Sequence, residues 1–179
     1  MPPGLQERLT RTWRQLQEVD GQIRELKAQR ITRPENLSPA TSRALTQLLT
    51  MRAIGPIGAS VLATEIFGWR RIRNRRELGA LVGLVPAPYQ SGETNYDQGI
   101  TRAGNAHVRR VIVQLACGWI RHQRDSALTH WYLQRFGSGG KRLRKIGIVA
   151  LARKLLVALW RYLETGAVPD GALLKPMEV

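Results

Sequence analysis

The sequence lacks most of what would place it among enzymes with a self-contained active site. Of its 179 residues one is cysteine, Cys117, so neither a disulfide framework nor a cysteine-based metal cluster can be built from it. Cys117 sits in the apolar run VIVQLACGWI and is expected to be a small buried hydrophobe. Acidic residues are scarce, 13 against 28 lysines and arginines. In the body of the chain Glu65, Glu77, Glu93, Asp97 and Asp125 each stand alone, with no Asp-x-Asp or similar pair. A complete two-metal hydrolytic site needs several converging carboxylates and is not expected here. His107, His122 and His130 are too dispersed for a ligand motif and support no Ser-His-Asp order. No apolar run reaches transmembrane length, and MPPGLQERL has no signal-peptide layout, so the expected location is the cytoplasm. There is no internal repeat and no nucleotide-binding glycine motif.

What is present is positive charge on a chain able to fold. The net charge is +15, while 43% apolar residues suffice for a core. A globular chain this basic and this rich in arginine is suited to a polyanion, since guanidinium groups grip phosphates in pairs. Five arginines, Arg70, Arg71, Arg73, Arg75 and Arg76, lie beside Trp69. A second basic cluster, KRLRK, begins with Lys141 and Arg142. Both point to nucleic acid, although a run of charge is also what a solvated face looks like.

The spacing predicts an all-α fold. From Leu5 to Arg30 a polar helix carries Leu9, Leu16 and Ile23 seven apart, with Leu5, Val19 and Leu26 beside them. That seam suits a coiled coil, hence a homo-oligomer, or a single amphipathic helix lying on the body. The prolines of ITRPENLSP end it, giving an expected division into a coiled-coil-like helix and linker over 1–37, a helical body over 38–168 and an irregular tail over 169–179. In the body, Ser38 and Pro39 cap a helix through ATSRALTQLLTMR. AIGPIGASVLATEIF is read as two short helices around a glycine turn with Gly55 and Gly58, similar to a helix-hairpin-helix that offers backbone N–H groups to phosphate. The usual Pro-Gly-Ile-Gly turn has Arg52 and Ala53 in its first two places, and the alternative is a turn used only for packing. Asn74 should cap a short helix ending near Gly83. Further helices are expected over 106–121, 125–136 and, after a flexible GSGG link, 146–165 with Gly166 closing the last.

The least helical stretch is LVPAPYQSGETNYDQGITRAGNAHVRR, residues 84–110, with room for a small hairpin within 88–101. Ser91 precedes Gly92, which would let backbone approach a substrate closely. Arg102, Asn105, Arg109 and Arg110 follow and could meet a phosphate. A serine hydroxyl attacks phosphorus only if it is exposed, if cations neutralise the phosphate and if its proton is removed. A plain Ser-Gly turn satisfies the same residues.

In order and spacing, residues 45–168 resemble the C-terminal half of the transposases of the IS-one-ten and IS-eleven-eleven insertion-sequence group. The family's GIGPITA, LAAYAGLAP and GISKRGNKRLRR stretches are similar to AIGPIGA (53–59), LGALVGLVP (78–86) and GITRAGNAHVRR (99–110). Its Ser-Gly is similar to Ser91-Gly92, and its late lysine-arginine helix to GKRLRKIGIVALARKLL (140–156). The resemblance implies DNA transposition in which Ser91 is the nucleophile joined to a DNA end. It also implies a separate RuvC-type, RNase H-like domain whose four acidic residues bind Mg²⁺, with no cofactor held by this chain itself. A coiled coil between the two domains assembles the oligomer in that group, and a structured RNA guides it to DNA. No acidic domain precedes the first helix of this sequence, so the expectation is the C-terminal piece of a longer or split transposase, or a remnant. A non-catalytic DNA- or RNA-binding module remains the alternative.

Overall fold

The computed structural model describes the backbone of residues 3–32, 37–91 and 94–176, and side chains within 4–26, 37–86 and 99–176. Two compact units divide the chain, Met1–Leu37 and Ser38–Val179. The first is helix α1, Pro3–Thr32. The residues of its predicted seam are exposed: Leu5, Leu9, Leu16, Val19, Ile23 and Leu26 are between 41% and 61% exposed. An ion pair between Arg24 and Asp20, one turn apart, braces the polar side. So do hydroxyl donations from Thr10 to the Gln6 carbonyl and from Thr12 to the Arg8 carbonyl.

Among the described residues the second unit is helical apart from one hairpin and the loops. Its elements are α2 (Pro39–Thr50), α3 (Pro56–Leu62), α4 (Arg75–Val82), β1 (Pro86–Ser91), β2 (Thr94–Ile100), α5 (Ala106–His122), α6 (Ala127–Tyr132) and α7 (Lys141–Thr165). Local chemistry sets most of the ends. Ser38 caps α2 by accepting from the Thr41 N–H, with Pro39 at the first helical position. Asn74 and Asn105 cap α4 and α5 in the same way, and left-handed Gly83 and Gly166 close α4 and α7.

Helices α5 and α7 form the centre. Val108, Ile112, Ala116 and Trp119 recur on one face of α5 and are fully buried, as are Leu151, Leu155, Leu156 and Leu159 of α7. Leu48 of α2 and Leu78 and Val82 of α4 complete the cluster with Met51 and Ile54. Each buried Val, Leu, Ile or Met side chain among these contributes about 1.5–3 kcal/mol by leaving water. The indole N–H of Trp119 is satisfied at 3.0 Å by the Ser126 hydroxyl, which also caps α6.

Four sequence expectations are corrected. AIGPIGASVLATEIF is not two helices: α3 runs on into a π-turn, Ala63–Phe67, and the turn lies before it, at 51–55. The break comes from Ala53, whose φ of 78° is left-handed, and from extended Gly55. The segment 125–136 enters its helix only after Ser126 and leaves it through a second π-turn, Leu133–Gly137. The last helix starts at Lys141 and not at Ile146, so KRLRK forms the beginning of α7, capped by Gly140. Cys117 is exposed, because it sits one residue past Ala116 and so rotates off the buried face of α5.

Ala53 occupies a left-handed position that an L side chain adopts at a cost of about 1–2 kcal/mol. Ala53→Gly removes that cost but adds unfolded-chain entropy, so the net expected gain is about 0.5–1 kcal/mol, read by urea denaturation. An unchanged or lowered midpoint would show that the turn is not strained.

The described residues of the C-terminal segment form no helix or strand beyond an isolated bridge between Leu174 and Met51, yet they are bound to the body. The Lys175 ammonium donates to the Leu49 and Ile54 carbonyls at 2.7 and 2.9 Å, across the end of α2. The Lys175 N–H donates to the Thr50 carbonyl, and the Ala127 N–H to that of Asp170. Gln123, 1% exposed at the end of α5, joins the 51–55 turn to Leu173.

Candidate nucleic-acid interface

The arginine segment leads into α4 as irregular chain held by local side-chain bonds. The Asn74 side chain accepts from the N–H groups of Arg76 and Glu77, and the Glu77 carboxylate accepts from the Arg73 N–H at 2.9 Å. This reciprocal bracing is a capping box displaced by one residue. It fixes the backbone while leaving the side chains of Arg70, Arg71, Arg73, Arg75 and Arg76 exposed. Among the described residues none of the five forms an ion pair. Five like charges held within seven residues repel one another, and a polyanion relieves that repulsion.

Strands β1 and β2 pair antiparallel, from Pro86 opposite Ile100 to Ser91 opposite Thr94, with a register irregularity between Pro86 and Pro88. Prolines are tolerated because each strand has an open edge. A bond from the Thr101 N–H to the Val85 carbonyl, 2.9 Å, closes the base of the hairpin, where Ile100 packs on the core. Ser91 ends β1 at the far tip. Five residues of strand at about 3.3 Å each carry it roughly 17 Å from Pro86. Gly92 and Glu93 lie outside the described residues, as do the side chains of Ser91 and Asp97.

Arg102 therefore stands at the opposite end of the hairpin from Ser91. It is exposed and left-handed, with φ 55°. Next comes the junction between α4 and α5, where the Asn105 N–H donates to the Leu81 carbonyl at 2.8 Å. The Asn105 side chain has two further tasks: its carbonyl caps α5 at His107 and Val108, and its amide donates to the Glu65 carboxylate at 3.0 Å. Arg109 is half-buried and gives one guanidinium N–H to the Val82 carbonyl at 2.9 Å, closing the end of α4. Arg110 is exposed. Glu65, Ile66, Arg70, Leu81, Gly104 and Asn105 line an open groove of about 440 Å³. Of the residues singled out in the sequence, Arg70 and Asn105 are thus brought together at one groove.

The remaining candidates lie elsewhere and differ in kind. Gly55 is exposed at the start of α3 with open space around it, so backbone can be approached there. Gly58 is buried, and a Cβ on it would meet the Leu115 side chain at 3.0 Å, so this glycine serves α3–α5 packing. Lys141 and Arg142 are exposed in the first turn of α7, alongside exposed Arg144 and Lys145. Among the described residues no three His, Cys, Asp or Glu side chains converge as a metal cluster would require. No helix of the described residues is long and apolar enough to cross a membrane. In the sequence Glu65 is an isolated carboxylate; its partner Asn105 is forty residues away, and only the fold joins them.

Residues 45–132, which hold the arginine segment, the hairpin and the α4–α5 junction, match the Transposase IS116/IS110/IS902 family. The chain is 47% identical over 133 residues to a Sinorhizobium fredii protein named transposase y4rJ, covering 74% of this chain and 33% of that protein. It is 30% identical over 170 residues to the Yersinia enterocolitica transposase for insertion sequence element IS1328, covering 94% of this chain and 48% of that one. A family 20 transposase of Pseudomonas aeruginosa is 31% identical over 153 residues, 83% of this chain and 44% of its own. The chain therefore spans between a third and a half of the length of these relatives.

Proposed function

We infer that a chain with the transposase-family domain at residues 45–132 is the DNA-engaging part of a transposase, and that Ser91 is its nucleophile. The observation that carries the reading is the ladder of exposed, unpaired arginines braced by Asn74 and Glu77 within that matched region. Arg70, Arg71, Arg73, Arg75 and Arg76 grip the sugar–phosphate backbone, with Arg102, Arg110, Lys141 and Arg142 extending the basic surface. Asn105 and Arg109 act mainly by fixing the α4–α5 junction that carries these groups. The same cations suit a structured guide RNA, which is proposed as a second polyanionic partner.

At the hairpin tip the Ser91 oxygen attacks phosphorus. The new Oγ–P bond forms as the P–O bond to the departing strand breaks, and the serine proton leaves with a base. Arg102 lies at the hairpin base, so neutralising charge for a phosphate at the tip is assigned to an acidic, RuvC-type domain outside these residues. When bound there, Mg²⁺ would polarise the phosphate. The open seam of α1 supports pairing with α1 of a second copy, which brings two hairpins into one assembly.

Binding of duplex DNA by this chain should weaken steeply with salt, because each neutralised phosphate releases counterions. Replacing Arg71, Arg73 and Arg75 together by alanine should reduce the slope of log K against log salt by about 3. An unchanged slope overturns the DNA-binding role of the ladder. A covalent protein–DNA adduct trapped under denaturing conditions must vanish in Ser91→Ala, and one that persists removes the serine assignment. Sedimentation tests the oligomer: a chain beginning at Ser38 should fall to monomer, and an unchanged mass excludes α1.

A further inference from the structure

Aromatic residues are only 6% of this chain, yet one of its five tryptophans stands in solvent beside the arginine ladder. Trp69 is 64% exposed, an outlay of apolar surface that packing does not explain. It is also held in place. In the π-turn at 63–67 the Gly68 N–H donates five residues back, to the Ala63 carbonyl. The next donor in that series is the Trp69 side chain, whose indole N–H reaches the Thr64 carbonyl at 2.9 Å. The ring's angle is thereby set by the turn. The Arg70 guanidinium lies 4.3 Å from its centroid, and Trp69 as a whole is 64% exposed with that cover in place.

A pinned, solvent-facing aromatic plane edged by cations is suited to a flat, electron-rich group attached to phosphates. Duplex DNA keeps its bases stacked inside and offers such a plane only phosphate and sugar. An unpaired base offers a whole face, whatever its identity, while neighbouring phosphates reach the arginines. We propose that Trp69 is a stacking platform for an unpaired base of single-stranded DNA, with Arg71 and Arg73 holding the flanking phosphates. This makes the surface selective for strand-separated DNA over the duplex. The proposal rests on the DNA-binding reading above and specifies which form of DNA the ladder takes.

Stacking adds affinity without releasing counterions, so it is separable from charge by its salt dependence. Fluorescence anisotropy would compare one oligonucleotide sequence as single-stranded DNA, duplex DNA and single-stranded RNA. Trp69→Ala should weaken single-stranded DNA binding about 5- to 100-fold, the range for loss of one base–aromatic stack. Its salt slope should stay at the wild-type value and its duplex affinity should be unchanged. Trp69→Phe, which keeps a ring but loses the indole pin, should fall between wild type and Trp69→Ala. Because Trp69 is exposed, the urea midpoint of each variant should match wild type, and that is measured alongside. Equal loss on both DNA forms, a reduced slope or no loss overturns the platform. Trp69-dependent binding seen only with RNA overturns the assignment to DNA. Wild-type protein that binds neither form of DNA would instead remove the reading on which this rests.

Discussion

Gly104→Ala should destabilise the helical unit by about 3–5 kcal/mol, among the largest effects any single substitution produces. At φ 125° this residue has a conformation that side chains rarely adopt. A Cβ there would also lie 2.5 Å from the Leu81 carbonyl oxygen, 2.9 Å from that of Ala80 and 2.9 Å from the Gly83 nitrogen. All three are backbone atoms, so no rotamer change relieves the clash. Gly83 meets the same limit from the other side, since a Cβ on it would come 2.4 Å from the Ala103 carbonyl. Two glycines thus let the end of α4 and the start of α5 touch backbone to backbone, and the Asn105–Leu81 bond forms in that gap. Gly99→Ala separates the two causes. Its φ is 91°, but nothing lies within 4 Å of a Cβ there, so only the backbone cost of about 1–2 kcal/mol applies. Urea denaturation followed by tryptophan fluorescence should rank Gly104→Ala well below Gly99→Ala. Equal losses would mean that conformation alone, and not the close approach, makes Gly104 a glycine.

That junction shows what a sequence can and cannot disclose. Ser38, Asn74, Gly83 and Gly166 are legible because a cap acts on N–H or carbonyl groups a few residues away, so residue type and position carry the whole cause. The stripe Val108, Ile112, Ala116 and Trp119 is legible for a similar reason, since burial follows helical period. Taken strictly, that period also excludes Cys117 from the core; the apolar run around it hides this. The helix start at Lys141 is obscured because GSGG reads as a link, although Gly140 supplies only a cap and arginine and lysine are good helix formers. The arginine ladder is visible as composition, but its unpaired state is not, because Glu77 could have neutralised a guanidinium and instead accepts from backbone. Arg109 looks like its neighbour Arg110, and only the fold assigns one of its N–H groups to Val82. Long-range partners leave no periodic trace.

Gln123→Leu should cost about 3–5 kcal/mol and release the C-terminal segment first. The side chain is 1% exposed, and both of its N–H groups and its oxygen are hydrogen-bonded. Its amide donates to the Arg52 carbonyl at 2.7 Å and the Leu173 carbonyl at 2.8 Å, and its oxygen accepts from the Leu173 N–H at 2.8 Å. Leucine matches the bulk but orphans the Arg52 carbonyl and the Leu173 N–H, each at about 1–3 kcal/mol when buried. The Leu173 carbonyl keeps its bond from the Arg52 N–H, so part of the join survives. Gln123→Glu should be at least as damaging: it retains an acceptor for Leu173 but turns a carboxylate towards two carbonyls. Lys175→Met loses two donations from an exposed ammonium to carbonyls near the end of α2 and should cost only about 1 kcal/mol. Limited proteolysis below the unfolding transition separates the clasp from general loss of stability. Cleavage within 169–176 should accelerate in Gln123→Leu and Gln123→Glu more than in a core variant of equal stability. If Gln123→Leu is cut there no faster than wild type, Gln123 does not hold the segment. Since the same side chain sets the Arg52 carbonyl, the 51–55 turn should loosen with the tail, seen as faster amide exchange at Arg52 and Ile54, whose N–H groups are bonded to Leu173 and Met51.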